Sequence, residues 1–233
     1  MSPLARAHAW ARLAFQELRR TAATLLIERP LGVDTARIVD LASLGLAAPN
    51  RVDYEPSGWL DLRLILRRGE VTVDDVFLDL GSGKGRVLLQ AAAYPFHRII
   101  GVELSAQLMA IARTNVDRRR ERLRCREIEL IIADVVDYEL PDDVTVVYMY
   151  NAFGGSVFRA VVDRLVASVD GNPRRLRLIY RTALEDEALL ATGRFREVRS
   201  VPGLRPGRAW SRKMATRMYV IDPVTAPRAD IHG

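Results

Sequence analysis

After a short apolar run ending at Leu80, the chain reads Asp79-Leu-Gly-Ser-Gly-Lys-Gly-Arg86, a D-x-G-x-G-x-G spacing. Alternate glycines at Gly81, Gly83 and Gly85 let a backbone turn sharply and approach a ligand closely. A dinucleotide fingerprint requires G-x-G-x-x-G; here the third glycine comes one residue early and Arg86 holds its slot. A phosphate-binding P-loop requires G-x-x-x-x-G-K-[ST]; Lys84 is followed by Gly85 and the upstream glycine is missing, so that reading fails. Three further polar residues close successive apolar runs: Glu103 after RIIGV, Asp134 after EIELIIA and Asn151 after DVTVVYMY. A carboxylate at Glu103 can accept hydrogen bonds from both ribose hydroxyls, and one at Asp134 can accept from an adenine amine. Together they suit an adenosine, and nothing in the loop suits a pyrophosphate.

The other chemistries find little. No Ser/His/Asp grouping occurs, and His8, His97 and His232 are scattered. With Cys125 as the one cysteine and no His–carboxylate cluster, no metal site built from the protein is expected.

These residues need strands that end together. Val76–Leu80, Arg98–Glu103, Glu127–Ala133, Asp143–Tyr150 and Arg175–Arg181 read as strands, with Arg196–Val201 and Thr216–Ile221 as two more. Arg86–Tyr94, a helix capped by Ser105, and Gly155–Val169 alternate with them as helices. Alternation of this kind predicts an α/β fold with a mostly parallel sheet and helices on both faces, and ligands bind beyond the carboxyl ends of such strands.

Ahead of this core, residues 1–53 read as an N-terminal helical extension or cap, and 54–233 as the main domain. Trp10, Leu13, Ala14, Leu18 and Leu25 recur at helical steps as one apolar stripe, stopped by Arg29-Pro30 and Gly32. Asp34 is placed to cap a second helix through Leu44, ended by Gly45, and Leu60–Leu66 offers a short helix.

At 233 residues and 49% apolar content the chain can bury a core, which excludes a disordered class. A lone cysteine excludes an intrachain disulfide and fits a reducing, cytoplasmic setting, and no apolar run is long enough to span a membrane. The net charge of +6 rests on 33 Arg and only two Lys, Lys84 and Lys213. The basic balance fits the arginine usage of a GC-rich genome better than a nucleic-acid partner. The dense run Arg118–Arg126 ends a helix away from the expected mouth and has no interleaved aromatics for stacking.

The constellation resembles class I S-adenosylmethionine-dependent methyltransferases. The motifs that carry the resemblance are DLGSGKG (Asp79–Gly85), GVELS (Gly101–Ser105), IIADVVDY (Ile131–Tyr138) and Tyr150-Asn-Ala-Phe-Gly154, over about Tyr54 to Ile221. The last is similar to the N-P-F element of amino-methylating members, with Ala152 where that pattern has proline, and Tyr54-Glu-Pro-Ser57 is similar to a Y-x-P-[ST] element of bacterial members. The resemblance implies a Rossmann-like seven-stranded sheet of order 3-2-1-4-5-7-6, the last strand antiparallel, and S-adenosyl-L-methionine as cofactor, with S-adenosyl-L-homocysteine as product. It implies that Gly81, Ser82, Gly83 and Gly85 pass under the methionine portion, with Asp79 ordering the loop and meeting the amino group. Glu103 would hold the ribose, Leu104 and Val135 would sandwich the adenine, and Asp134 would accept from its amine. Asn151 would aim an acceptor amine, Phe153 would contact it, and Tyr54 would close over the cofactor. The expected reaction is N-methylation of a small molecule or protein, with nucleic acid a minor possibility. Oxygen, carbon or RNA methylation on the same fold, or a catalytically inactive cofactor-binding scaffold, are the alternatives.

Overall fold

The computed structural model describes residues 3–49, 51–151, 153–205 and 207–223; the readings at Ala152 and His232 fall outside them. The strands are β1 (Val76–Leu80), β2 (Arg98–Glu103), β3 (Ile128–Ile132), β4 (Val144–Tyr150), β5 (Leu176–Arg181), β6 (Arg196–Val201) and β7 (Thr216–Ile221). They form one sheet of order β3-β2-β1-β4-β5-β7-β6, parallel except that β7 runs antiparallel to both β5 and β6. The helices are α1 (Pro3–Ala23), α2 (Arg29–Leu31), α3 (Asp61–Ile65), α4 (Arg86–Ala91), α5 (Ala106–Arg119), α6 (Gly155–Gly171), α7 (Asp186–Ala191) and α8 (Arg208–Lys213). The fold expected from the sequence is the one observed.

Alternation along β1 decides which side each residue serves. Val76, Leu78 and Leu80 enter a core with Phe158, Val161, Val162 and Leu165 of α6. Phe77 enters the opposite core with Leu62 and Ile65 of α3 and Val87, Leu88 and Ala91 of α4. Asp79, in step with Phe77, therefore points to the α4 side at the strand's end. Register sets it beside Gly101 of β2 and Tyr148 of β4, so three carboxyl ends open onto one place. The Ser105 cap of α5 is as expected, its hydroxyl accepting from the Leu108 amide at 3.2 Å.

The N-terminal region departs from its sequence pattern. α1 does not stop at Arg29-Pro30 but passes through a π-helical turn (Thr24–Glu28) into α2, and ends at Gly32 with φ 69°. A π turn shifts the hydrogen-bond ladder, which is where a proline lacking its N–H is tolerated. The apolar stripe is not packed on the body: Trp10, Leu13, Leu18 and Leu25 are 72%, 56%, 68% and 46% exposed. The helix is anchored instead by buried Glu28 at its end, and Phe15 meets Trp210 edge-on with ring centroids 5.7 Å apart.

The second helix expected from Asp34 to Leu44 does not form; only a 3-10 turn, Ala42–Leu44, ending at Gly45 with φ 70°, survives. Side chains and a neighbouring strand segment take the hydrogen bonds a helix needs. The Asp34 amide donates to Asn115 Oδ1 (2.9 Å) and the Ala36 amide to Glu28 Oε2 (3.1 Å). Val39 and Tyr54 exchange both backbone bonds, at 3.2 and 3.0 Å. Residues 33–49 and 51–57 thus run as a mostly extended strap. Its anchor is a buried network in which Arg86 donates to Glu28 Oε1 (2.5 Å), Thr35 Oγ1 (2.7 Å) and the Ser57 carbonyl (2.7 Å). The first residue of α4, next to the glycine loop, therefore holds both the N-terminal helix and the strap.

Candidate active site

The glycine loop folds as its spacing requires. Gly81, Gly83 and Gly85 all adopt left-handed φ values, 82°, 53° and 79°, which carry little cost only without a Cβ. The amides of Gly81 and Ser82 both donate to the Val102 carbonyl at 2.9 Å, tying the loop to β2. Glu103 completes the tie: one carboxylate oxygen accepts from the Gly83 amide (2.8 Å), the other from the Ser105 amide (2.9 Å). Burial pushes the Glu103 carboxyl above its usual value, against the pull of those backbone donors.

Beyond these strand ends lies a cavity of about 920 Å³, solvent at its mouth included. One wall is the loop and strand ends: Asp79, Gly81, Ser82, Glu103 and Leu104, with Asp134 and Val135 after β3 and Phe153 after β4. The facing wall is the strap, every residue from Arg51 to Ser57. Asp79 is 2% exposed, and among the described residues its carboxylate has no hydrogen-bond partner. Burial, reinforced by the Glu103 charge, holds its carboxyl well above the ordinary range. Ser82 Oγ is likewise buried and unpartnered. Two buried polar groups without partners, facing a cavity, form a site short of its complementary donor and acceptor.

The sequence-derived residues separate into three groups. Asp79, Gly81, Ser82, Glu103, Leu104, Asp134, Val135, Tyr54 and Phe153 come together around this cavity. Gly83 and Gly85 lie behind it. A methyl at Gly83 would overlap Cδ2 and Cε2 of the Tyr54 ring, and one at Gly85 would lie 3.2 Å from Ala112 Cβ of α5. Gly83 thus seats Tyr54, and Gly85 lets α4 approach α5. The Tyr54 hydroxyl donates to the Thr35 carbonyl at 2.9 Å, and burial pushes its phenol pKa up. Asn151 follows β4 with φ 39°, a left-handed conformation that asparagine tolerates better than most residues, and its side chain is not part of the cavity wall.

Asp134 does not close β3, which ends at Ile132, but sits in the following turn. Its oxygens are engaged: Oδ1 accepts from the Val136 amide (3.1 Å) and Oδ2 pairs with Arg51 of the strap (2.8 Å). Arg51 also bridges to Phe153 through the backbone, so the strap is pinned on both sides of the mouth. Nothing in the sequence singled out Arg51, because its partner lies 83 positions away in the chain. Tyr148, hydrogen-bonded to Ser57 (2.9 Å), and Tyr150, whose ring lies under Arg181 (4.8 Å), also line the cavity. Lys84 belongs to the scaffold: it is 2% exposed, 3.5 Å from Asp34 and 5.7 Å from the Tyr54 ring centroid. The arginine-rich segment 118–126 lies at the far end of α5, with Arg118 donating to the Gly32 carbonyl at the end of α2 (3.0 Å) and Arg120 to the nearby Arg126 carbonyl (3.1 Å).

Comparison with known proteins agrees with this geometry. Residues 77–170 match a family model described as a methyltransferase domain. A probable ribosomal RNA small subunit methyltransferase A of Methanopyrus kandleri is 32% identical over 86 residues, 36% of this chain. That match spans only 27% of the relative's length. Among solved structures, a precorrin 8W decarboxylase of Methanobacterium thermoautotrophicum superposes with a TM-score of 0.53 at 17% identity, over 75% of this chain and 99% of the other. The glycopeptide N-methyltransferase MtfA, complexed with S-adenosyl-L-methionine, gives 0.51 at 16% identity, over 73% and 89%. At such identities the two structures show a shared fold and nothing about the reaction.

Proposed function

We propose that this chain, whose residues 77–170 match a methyltransferase domain on the class I fold, is an S-adenosylmethionine-dependent methyltransferase acting on an amine of a small molecule or protein. The single observation that carries the reading is the Asp79 carboxylate, buried at the cavity wall without a protein partner beside the left-handed glycine loop. The cofactor's α-ammonium is the complement such a group lacks. Ser82 Oγ, the second buried group without a partner, fits the polar methionine end in the same way.

The residues present fit the cofactor from end to end. Glu103 would hold the ribose, its oxygens keeping lone pairs beyond those given to Gly83 and Ser105. Leu104 and Val135 supply apolar faces for the adenine, and Asp134 an acceptor that Arg51 already orients. When bound, the cofactor would supply an electrophilic methyl on a sulfonium for transfer to the acceptor's lone pair.

The chain's own part is alignment and exclusion of water. Tyr54, seated on Gly83 and fixed by Thr35, covers the loop from the strap side. Phe153, 5% exposed, offers an apolar surface at the acceptor end. Asn151 follows β4 at φ 39° with its side chain outside the cavity wall, so any part it takes in orienting an amine would fall to its backbone carbonyl. RNA is the second reading, favoured by the relative from Methanopyrus kandleri.

Calorimetry tests the proposal. S-adenosyl-L-homocysteine is expected to bind and NADH is not, and Asp79→Ala is expected to abolish binding. Retained affinity in Asp79→Ala, or NADH binding in its place, refutes it. Label transfer from S-adenosyl-L-methionine to RNA rather than to amines would select the second reading.

A further inference from the structure

A second cavity, about 630 Å³ including solvent at its opening, lies between α1 and the strap. Four arginines line it, Arg19, Arg20, Arg86 and Arg205. It shares Glu55, Pro56 and Arg86 with the candidate active site, so the two are neighbours across the strap. Two of the arginines have their charges met: Arg86 pairs with buried Glu28 (2.5 Å) and Arg20 with Glu17 (2.9 Å). Arg181, close by at the end of β5, is paired with Asp61.

Arg19 and Arg205 differ. Both are partly buried, and among the described residues neither forms an ion pair with a carboxylate. Arg205 Nε is buried with no hydrogen-bond partner. Burial and the positive charge of Arg181 lower both guanidinium pKa values, and Arg19 itself acts on Arg205. Glu55, the one carboxylate among the described residues lining the cavity, is exposed and bonded to neither, and it favours the Arg19 guanidinium only through its more distant charge. Arg205 donates one N–H to the Leu204 carbonyl (3.0 Å) and lies over the Trp210 ring (5.7 Å), contacts that leave its charge without a counter-ion. Two partly buried guanidinium groups lining one cavity, with a buried N–H left over, gain from an anion placed between them.

We infer that Arg19 and Arg205 form the binding site for a carboxylate or phosphate carried by the methyl acceptor, held across the strap from the cofactor cavity. The inference rests on the methyltransferase reading for its role but not for the anion site itself. The cavity lies under a helix and admits a small anionic group, so the acceptor is a small acidic molecule rather than a polymer.

Three measurements on the full chain test this. Inorganic phosphate and, separately, succinate are titrated into wild type, Arg19→Gln and Arg205→Gln, with melting temperature and calorimetry as readouts. At least one anion should raise the melting temperature of wild type, and each variant should weaken its binding tenfold or more. Which anion binds distinguishes phosphate from carboxylate. Because the arginines repel each other, each variant without anion should melt at or above the wild-type temperature; a fall would mark them as structural and overturn the proposal. So would anion binding unchanged in both variants. S-adenosyl-L-homocysteine titrated into the same variants should bind as in wild type. Its failure to bind wild type would end the methyltransferase reading while leaving the anion site standing. A short RNA that binds far more tightly than either anion, through the same two arginines, would overturn the assignment to a small acceptor.

Discussion

Gly83→Ala isolates the contact between the glycine loop and Tyr54 of the strap. Three costs follow from the geometry. Position 83 has φ 53°, and a residue with a Cβ pays about 1 kcal/mol there. The new methyl overlaps two carbons of the Tyr54 ring, so the ring must leave. Its departure loses the bond to the Thr35 carbonyl, about 1 kcal/mol, and the contact with Lys84, about 0.5–1 kcal/mol. Gly83→Ala should therefore destabilise the protein by about 3 kcal/mol. In a Tyr54→Ala background the ring is already gone, and Gly83→Ala should cost only the backbone strain of about 1 kcal/mol. Urea denaturation of the four proteins, with unchanged slopes, gives the coupling. A non-additivity of about 2 kcal/mol is expected, the double variant being more stable than the sum of the singles predicts. Strict additivity would refute the seating of Tyr54 on Gly83. Calorimetry on the same proteins should show cofactor affinity falling with removal of the ring.

Other outcomes follow from the same structure. Ionising Asp79 is opposed in the free protein by burial and by Glu103, and favoured by a bound ammonium, so cofactor binding should release a proton and tighten as pH rises. Asp79→Asn should remove the Asp79 share of that dependence in calorimetry across buffers, and should stabilise the unliganded protein by about 1 kcal/mol or more because an unpaired buried carboxylate is gone. Arg86→Met leaves Glu28 buried without its partner and should cost about 3–5 kcal/mol in chemical denaturation; a loss below 1 kcal/mol would contradict the network that anchors the strap. The Arg199 guanidinium lowers Glu70 from its ordinary 4.5 to about 2. The stability this pair contributes is present above about pH 4.5 and is lost as pH falls toward 2, and Arg199→Ala should flatten melting temperature against pH in that window.

The sheet and the glycine loop were determined by sequence alone, because their signals are local. Each strand is a short apolar run with its own stop, and β1, β2, β6 and β7 begin and end where the residue pattern says. Left-handed turns need glycine, so Gly81, Gly83 and Gly85 announce the loop without any partner. Asp79, Glu103 and Phe153 come together because register alone aligns the ends of β1, β2 and β4.

The N-terminal third was decided by tertiary contacts. Helical spacing put Trp10 and Leu18 on one face, but the anchor Glu28 and the contact of Phe15 with Trp210 turned that face to solvent. Asp34 has the chemistry of a helix cap, yet the amides after it are claimed by Glu28 and Tyr54, and a strap forms instead. Lys84 and Arg86 read as loop and helix-start residues; only the fold shows one buried beside Asp34 and the other joining three segments. Arg51 on Asp134, and Arg19 near Arg205, join residues more than 80 positions apart. Side chains so distant meet only when folding brings the strap and α1 over the sheet, and no pattern of neighbours along the chain encodes that meeting.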